Sequence, residues 1–176
     1  QKAANGFPGI DEAIFIARVE FSNEVNQALA NSPFRSKILS LHQPTDGQAK
    51  TCAFAIETLR SQPDRPLWIS ACDHGLVFPD ETWKKFEASD PEVAVVGVRG
   101  IPATRRTPNA FAYLSGADQL EAVSVKKPLS QNPFHDLVLV GTFYFKSSHR
   151  FCSLLEELIS KDWRVNGELY LDSILE

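Results

Sequence analysis

Methionine is absent from all 176 residues, and only three cysteines are present. Cys52, Cys72 and Cys152 show no CxxC spacing and sit in apolar or helical settings. That excludes a disulfide framework and a zinc ribbon, and leaves reduced thiols packed in the interior of a cytoplasmic protein. No segment approaches the roughly 18 to 20 uninterrupted apolar residues that a membrane-spanning helix requires. Charge of one sign is scarce as well: 18 Lys and Arg stand against 22 Asp and Glu, a net charge of -4 with the signs interspersed. The basic stripe needed to hold a nucleic-acid backbone is therefore missing. A soluble protein is expected, partnered by neither membrane nor polymeric nucleic acid. The chain opens at Gln1 with no apolar signal segment. With no Met anywhere, the expectation is a single domain over residues 1–176, incomplete at its N-terminus and open to continuation at its C-terminus.

What is there suits one globular core: 43% of the residues are hydrophobic and 23% charged. Residues 12–19 form a short apolar run, as expected of a buried strand, and Ser22 caps a helix to about Ala30. Ser36 to His42 reads as a second strand, followed by the turn residues Pro44-Thr45-Asp46-Gly47. Gln48 to Arg60 places Ala49, Cys52, Ala53, Ile56 and Leu59 on one helical face, so a continuous helix is predicted. Further strands are predicted over 66–72, 92–98, 110–114, 122–125 and 138–145. Helices are predicted over 80–86, from Ser147 or Ser148 to Ser160, and, helical or nearly so, over 168–175. This alternation predicts a three-layer α/β/α fold with a mostly parallel central sheet and a mixed insertion between residues 98 and 140.

In an open α/β sheet, ligands collect at the carboxyl ends of strands, where loops converge and helix N-termini point inward. Two features fall at such ends. Thr45-Asp46-Gly47-Gln48-Ala49 opens a helix whose backbone N–H groups could meet a base or phosphate; an ordinary helix start has the same composition. Asp73, directly after the apolar run ending at Cys72, is well placed to hold a hard cation against phosphate oxygens. A turn cap, with Gly75 supplying a positive φ, is the alternative.

Several ordered pieces together resemble the sugar-phosphate nucleotidyltransferases, or nucleoside-diphosphate-sugar pyrophosphorylases. Gly47-Gln48-Ala49-Lys50-Thr51 is similar to the family's base-binding segment, and Pro66 to Asp73 to its metal-binding strand. Thr107-Pro108-Asn109-Ala110-Phe111-Ala112-Tyr113 with Val123 to Pro128 resembles the stretch around the lysine that meets the sugar phosphate. Val140-Gly141-Thr142-Phe143-Tyr144-Phe145 resembles the strand on which the sugar rests. Asn166-Gly167-Glu168-Leu169-Tyr170-Leu171-Asp172 resembles the family's helix start.

The resemblance implies a nucleotide-diphospho-sugar transferase-like fold and Mg²⁺-dependent transfer of a nucleotidyl group from a nucleoside triphosphate to a sugar phosphate. Asp73 would hold Mg²⁺, with Asp172 as a second candidate ligand. Lys126 or Lys127 would offset the sugar phosphate charge; the sequence does not separate them. Gly47, Gln48, Ala49 and Thr51 would lie against the nucleotide. Asn109, Gly141, Thr142 and Glu168 would shape the sugar pocket, with Glu168 alternatively a first-turn helix acid. The glycine-rich loop that opens these enzymes is not within residues 1–176. Competing readings are a catalytically silent relative and a metal-dependent glycosyltransferase, although Asp73-His74-Gly75 is not a DxD run.

Overall fold

The computed structural model describes residues 7, 9–72, 75–116 and 119–176. Two sheets and five α-helices account for most of them. β1 (Glu12–Arg18) and β2 (Arg35–Leu41) form a parallel pair in the register Glu12↔Arg35 to Arg18↔Leu41, connected through α1 (Ser22–Leu29). A crossover helix is what a parallel connection requires.

The second sheet is built around β7 (Leu137–Phe145). β3 (Leu67–Ser70) and β4 (Val93–Val98) both pair antiparallel with its residues 143–145, so they flank it on opposite edges and run in the same direction as each other. β5 (Ala112–Ser115) also pairs antiparallel with β7 and forms a hairpin with β6 (Ala122–Val125). The expectation of a mostly parallel central sheet is thus corrected: every ladder in the main sheet is antiparallel. Strand-helix alternation signalled the common direction of β3 and β4. It could not show that a strand from forty residues further on inserts between them.

β7 earns its central place by composition. Its run LVLVGTFYF is apolar on both faces, and Val138, Phe143 and Phe145 are almost fully buried. Against it packs α5 (Ser148–Lys161), whose stripe Phe151, Cys152, Leu155 and Leu158 is buried at helical spacing. Burial of each large apolar side chain there contributes about 1.5 to 3 kcal/mol. Ser147 caps the helix by accepting from the Arg150 N–H at 2.9 Å. Asp64 accepts from the Ser147 and Ser148 hydroxyls and the His149 N–H. These bonds hold the Asp64 carboxyl below its usual range, the His149 N–H foremost.

The helix predicted over 48–60 is two helices, α2 (Gln48–Ala53) and α3 (Ile56–Arg60). Phe54 and Ala55 donate to carbonyls three residues back, which tightens the turn. The kink keeps Ala49, Ala55, Ile56 and Leu59 buried while Phe54 turns outward, 53% exposed. On the other face of the sheet, α4 (Asp80–Ser89) presents Trp83 and Phe86 to Trp68 of β3, centroids 6.0 and 5.2 Å away. No helix among the described residues is long and apolar enough to cross a membrane. The cysteines are free thiols, but Cys72, expected in the interior, is exposed just past the end of β3. Burial pushes the Cys52 thiol up to about 12 and raises that of Cys152, so both stay protonated.

Candidate functional site

Asp73, the predicted metal ligand, lies outside the described residues, as does His74. The strand leading to it is described, and its end meets β7 at a special point. The Ala71 N–H donates to the Gly141 carbonyl at 3.0 Å, and the Ser70 hydroxyl lies 3.4 Å from that of Thr142. Gly141 has φ +63°, and a Cβ there would stand 3.3 Å from the Ala71 Cβ. Glycine therefore lets β7 pass close under the end of β3. Both hydroxyls are engaged by protein: Ser70 donates to the Ala71 carbonyl at 3.1 Å, and Thr142 is fully buried.

A second convergence joins the loop before α2 to the C-terminal segment. Leu169 N–H donates to the Asp46 carbonyl at 3.1 Å, and Ala49 N–H donates to the Leu169 carbonyl at 3.2 Å. Gly47, at φ +119°, lies so close that a Cβ would stand 2.2 Å from the Leu169 carbonyl oxygen. The Ala49 N–H is thereby engaged by protein, and the Ala49 side chain is fully buried in the core. Gln48 and Thr51 are half-buried. The Thr51 hydroxyl is within hydrogen-bond distance of the Thr45 hydroxyl and of the Gly47 carbonyl. Arg164 clamps the loop from outside, donating to Asp46 at 2.7 Å and to the Gly167 carbonyl at 2.8 Å. It is the chief reason the Asp46 carboxyl lies below its usual range.

Glu168 does not begin a helix. Val165 and Glu168 exchange backbone hydrogen bonds at 3.0 and 3.1 Å around Asn166 and Gly167, both at positive φ. Asn-Gly with two positive φ angles is the preferred two-residue hairpin turn, so a turn signal won over the helical reading. The helical part, a 3₁₀ turn, begins later, at Leu171–Leu175. Exposed Glu168 accepts a hydrogen bond from Tyr170, the largest cause of the rise of that phenol to about 12.

The structure separates the two lysines. Lys127 is exposed, whereas Lys126, half-buried and at φ +60°, folds back. Its ammonium sits 4.4 Å from the centre of the Tyr170 ring and donates to the Ala110 carbonyl. Exposed Asn109 is the neighbour of Ala110 in the short 3₁₀ turn Pro108–Ala110. Asp172 is half-buried, and desolvation raises its carboxyl to about 6 despite the opposing pull of Lys126. Asp172 thus feels the charge of Lys126, the same cation that rests against the Tyr170 ring. No group of three His, Cys, Asp or Glu residues among the described residues could hold a metal ion.

Five stretches distant in sequence thus come together in two clusters: β3 with Gly141–Thr142, and Gly47–Thr51 with Asn166–Asp172 and Lys126. Comparison with known proteins bears on this arrangement. No protein-family model and no curated protein sequence matches the chain. Solved structures do. The nucleoside-diphosphate-sugar pyrophosphorylase from Vibrio cholerae RC9 superposes with a TM-score of 0.71 at 19% identity, over 98% of this chain and 71% of that one. The inositol-1-phosphate CTP transferase from T. maritima gives 0.66 at 10% identity, over 95% and 61%. This chain shares the fold of these two enzymes. HddC from Yersinia pseudotuberculosis matches more loosely, with a TM-score of 0.54 at 12% identity over 85% of this chain and 60% of its own. The chain thus spans about three fifths to seven tenths of the length of these three structures.

Sequence reasoning passed over Arg164 and Tyr170. Arg164 gave no signal beyond standing two residues before the Asn-Gly turn. Tyr170 could have been found from its place between Glu168 and Asp172, since an amphipathic ring flanked by carboxylates attracts a cation.

Proposed function

We propose that this domain transfers a nucleotidyl group from a nucleoside triphosphate to a sugar phosphate, releasing pyrophosphate. The observation that carries the reading is the convergence of the base-binding, lysine-bearing and C-terminal stretches onto Leu169 and Tyr170, within a fold shared with enzymes of that name. In-line attack of a sugar phosphate oxygen on the α-phosphorus needs no protein nucleophile. What it needs is positioning and neutralisation of charge.

The chain's own groups suit those tasks. Lys126, steadied by the Tyr170 ring and the Ala110 carbonyl, supplies the positive charge for the sugar phosphate; of the two lysines it is the one so held. Gln48 and Thr51 lie at the mouth of the loop assigned to the nucleotide. Exposed Asn109 and Glu168, with half-buried Gly141 on β7, are assigned to the sugar, and fully buried Thr142 supports Gly141 from within the sheet. Asp73 is assigned to Mg²⁺, which would neutralise phosphate charge when bound. A cytoplasmic location follows for a protein drawing on nucleoside triphosphates.

Isothermal calorimetry of the intact gene product with a panel of nucleoside triphosphates and Mg²⁺, repeated on Asp73→Ala, tests the reading. Mg²⁺-dependent binding of one triphosphate, abolished by the substitution, is the expected result. A folded protein that binds none of them overturns it and leaves a silent relative of the same fold.

A further inference from the structure

Positive charge is spread unevenly over this acidic chain. Residues 99–135 carry five Lys and Arg against two Asp and Glu, although the net charge of the whole is -4. Of the nine arginines, Arg18, Arg35, Arg60, Arg65 and Arg164 each meet a carboxylate. Four have no carboxylate partner among the described residues. Three of these, Arg99, Arg105 and Arg106, stand within eight residues of one another, and all three are exposed. Like charges crowded without a counter-ion repel one another, and an anion relieves them.

Two of these guanidiniums are held against the same pair of residues. Arg105 lies 3.7 Å from the centre of the Phe134 ring, and Arg99 donates to the His135 carbonyl at 2.6 Å. The exposed His135 ring stands nearly perpendicular to that of Phe134, centroids 5.3 Å apart. The backbone beneath is fixed. Gly100 N–H donates to the Phe134 carbonyl at 3.0 Å, and the buried Thr104 hydroxyl donates to the Ile101 carbonyl at 2.7 Å. Arg105 and Arg106 follow Thr104 directly, at the end of the short 3₁₀ turn Pro102–Arg105. Stacking on Phe134 covers one face of the Arg105 guanidinium and leaves its N–H edge free, the geometry of a bidentate fork.

The patch stands apart from the candidate site. Arg99 follows β4, whose Val98 pairs with Val138 of β7. Gly141, where the end of β3 meets β7, is three residues further on, about 10 Å at the rise of a strand. Lys126 follows β6, which is separated from β4 by β7 and β5, so about 14 Å of sheet lies between them at ordinary strand spacing.

We infer that Arg99, Arg105, Arg106 and His135 form a second anion site, built for a phosphoryl group. The footprint decides the class of ligand. Two guanidiniums and an imidazole gathered on one dipeptide span roughly 10 Å, the scale of a phosphate or diphosphate, whereas a specific protein partner needs about 800 Å² on each side. A phosphoryl group carries about two negative charges and three acceptor oxygens, which suits planar forks better than the single charge of a carboxylate. It belongs either to a free phosphate or pyrophosphate ion or to a phosphorylated metabolite.

Calorimetry of the full gene product at physiological chloride, with EDTA and no Mg²⁺, tests this apart from nucleotidyl transfer, so failure here leaves that reading standing. The probes are inorganic phosphate, pyrophosphate and glucose 6-phosphate. At least one should bind with a Kd below about 1 mM. Arg99→Ala and Arg105→Ala should each weaken it by about 10-fold or more, as loss of a charged hydrogen bond does. Phe134→Leu leaves every charge in place and should still weaken it about 3-fold, because the stack is lost. Arg105→Lys, which keeps the charge and loses the fork, should do the same. Arg150→Ala removes an exposed arginine elsewhere that has no carboxylate partner, and should change nothing. Tighter binding of glucose 6-phosphate than of inorganic phosphate assigns the phosphoryl group to a metabolite; the reverse assigns it to the free ion. No binding of any probe up to about 10 mM overturns the inference. Undiminished affinity in both Arg105→Lys and Phe134→Leu overturns it equally, by reducing the patch to diffuse charge. Thermal melts verify that each variant has folded.

Discussion

Replacing Gly47 by alanine should cost far more stability than an ordinary loop substitution. At φ +119° any L side chain is strained, by about 1 to 3 kcal/mol. The new Cβ would also stand 2.2 Å from the Leu169 carbonyl oxygen and 2.7 Å from its nitrogen, positions no neighbouring side chain can relieve. Leu169 must retreat, breaking the bonds to Asp46 and Ala49 at about 1 kcal/mol each. Its fully buried side chain would be partly withdrawn from the core, with a further loss of about 1 kcal/mol. The sum is about 4 to 6 kcal/mol, a large share of the roughly 5 to 15 kcal/mol that holds a domain folded. Urea denaturation followed by tryptophan fluorescence measures it, and Gly167→Ala is the control. Gly167 has φ +86° but open space around its Cβ position, so only the backbone strain, about 1 kcal/mol, should appear. Equal midpoints for the two variants would refute the claim that the Asp46–Ala49 loop is locked onto Leu169.

Asp172→Asn should stabilise the protein at pH 7.5 and do nothing at pH 4. The Asp172 carboxyl titrates at about 6 when folded, above its ordinary 3.8, so its contribution to stability falls as pH rises through that window. The two-unit shift corresponds to at most about 3 kcal/mol, and partial exposure leaves about 1; thermal melts of variant and parent at the two pH values check it. Asp64→Ala should act with the opposite sign. Its carboxyl is held low by His149, Ser147 and Ser148, so the loss seen at pH 7 should fade as pH falls below 4. Chemical denaturation at pH 3 and pH 7 reads the difference. If nucleotidyl transfer is the activity, Lys126→Met should reduce pyrophosphate release at least 100-fold and Lys127→Met less than 10-fold. Phe143→Ala, deep in β7 and fully buried, should cost about 3 to 5 kcal/mol in a urea titration.

Element identity was legible in the sequence because it depends on local pattern. Apolar runs marked β1, β3, β4 and β7 to within two residues, and the Phe151, Leu155 and Leu158 spacing marked α5. Its cap was narrowed to Ser147 or Ser148, and Ser147 is the one that accepts from the Arg150 N–H. The five stretches that meet around β3 and Leu169 were also legible, by their order along the chain.

Partnership was not legible, because hydrogen-bond partners are chosen by surface complementarity between segments far apart. Nothing in LVLVGTFYF says that it lies antiparallel between β3 and β4, since a strand buried on both faces reads the same in either sheet type. Nor could sequence tell Lys126 from Lys127: their one-residue offset becomes a difference in direction only when the turn after β6 places one over Tyr170. The hairpin at Asn166-Gly167 was written in the sequence and outweighed by helix-like neighbours. Chain order and composition by themselves determined an α/β domain with the strand leading to Asp73 and the loop at Gly47. Tertiary structure alone decided that Gly47 is required by the Leu169 backbone, and that β1 and β3 line one cavity. Close approach of two backbones is a property of the packed molecule, with no local pattern to record it.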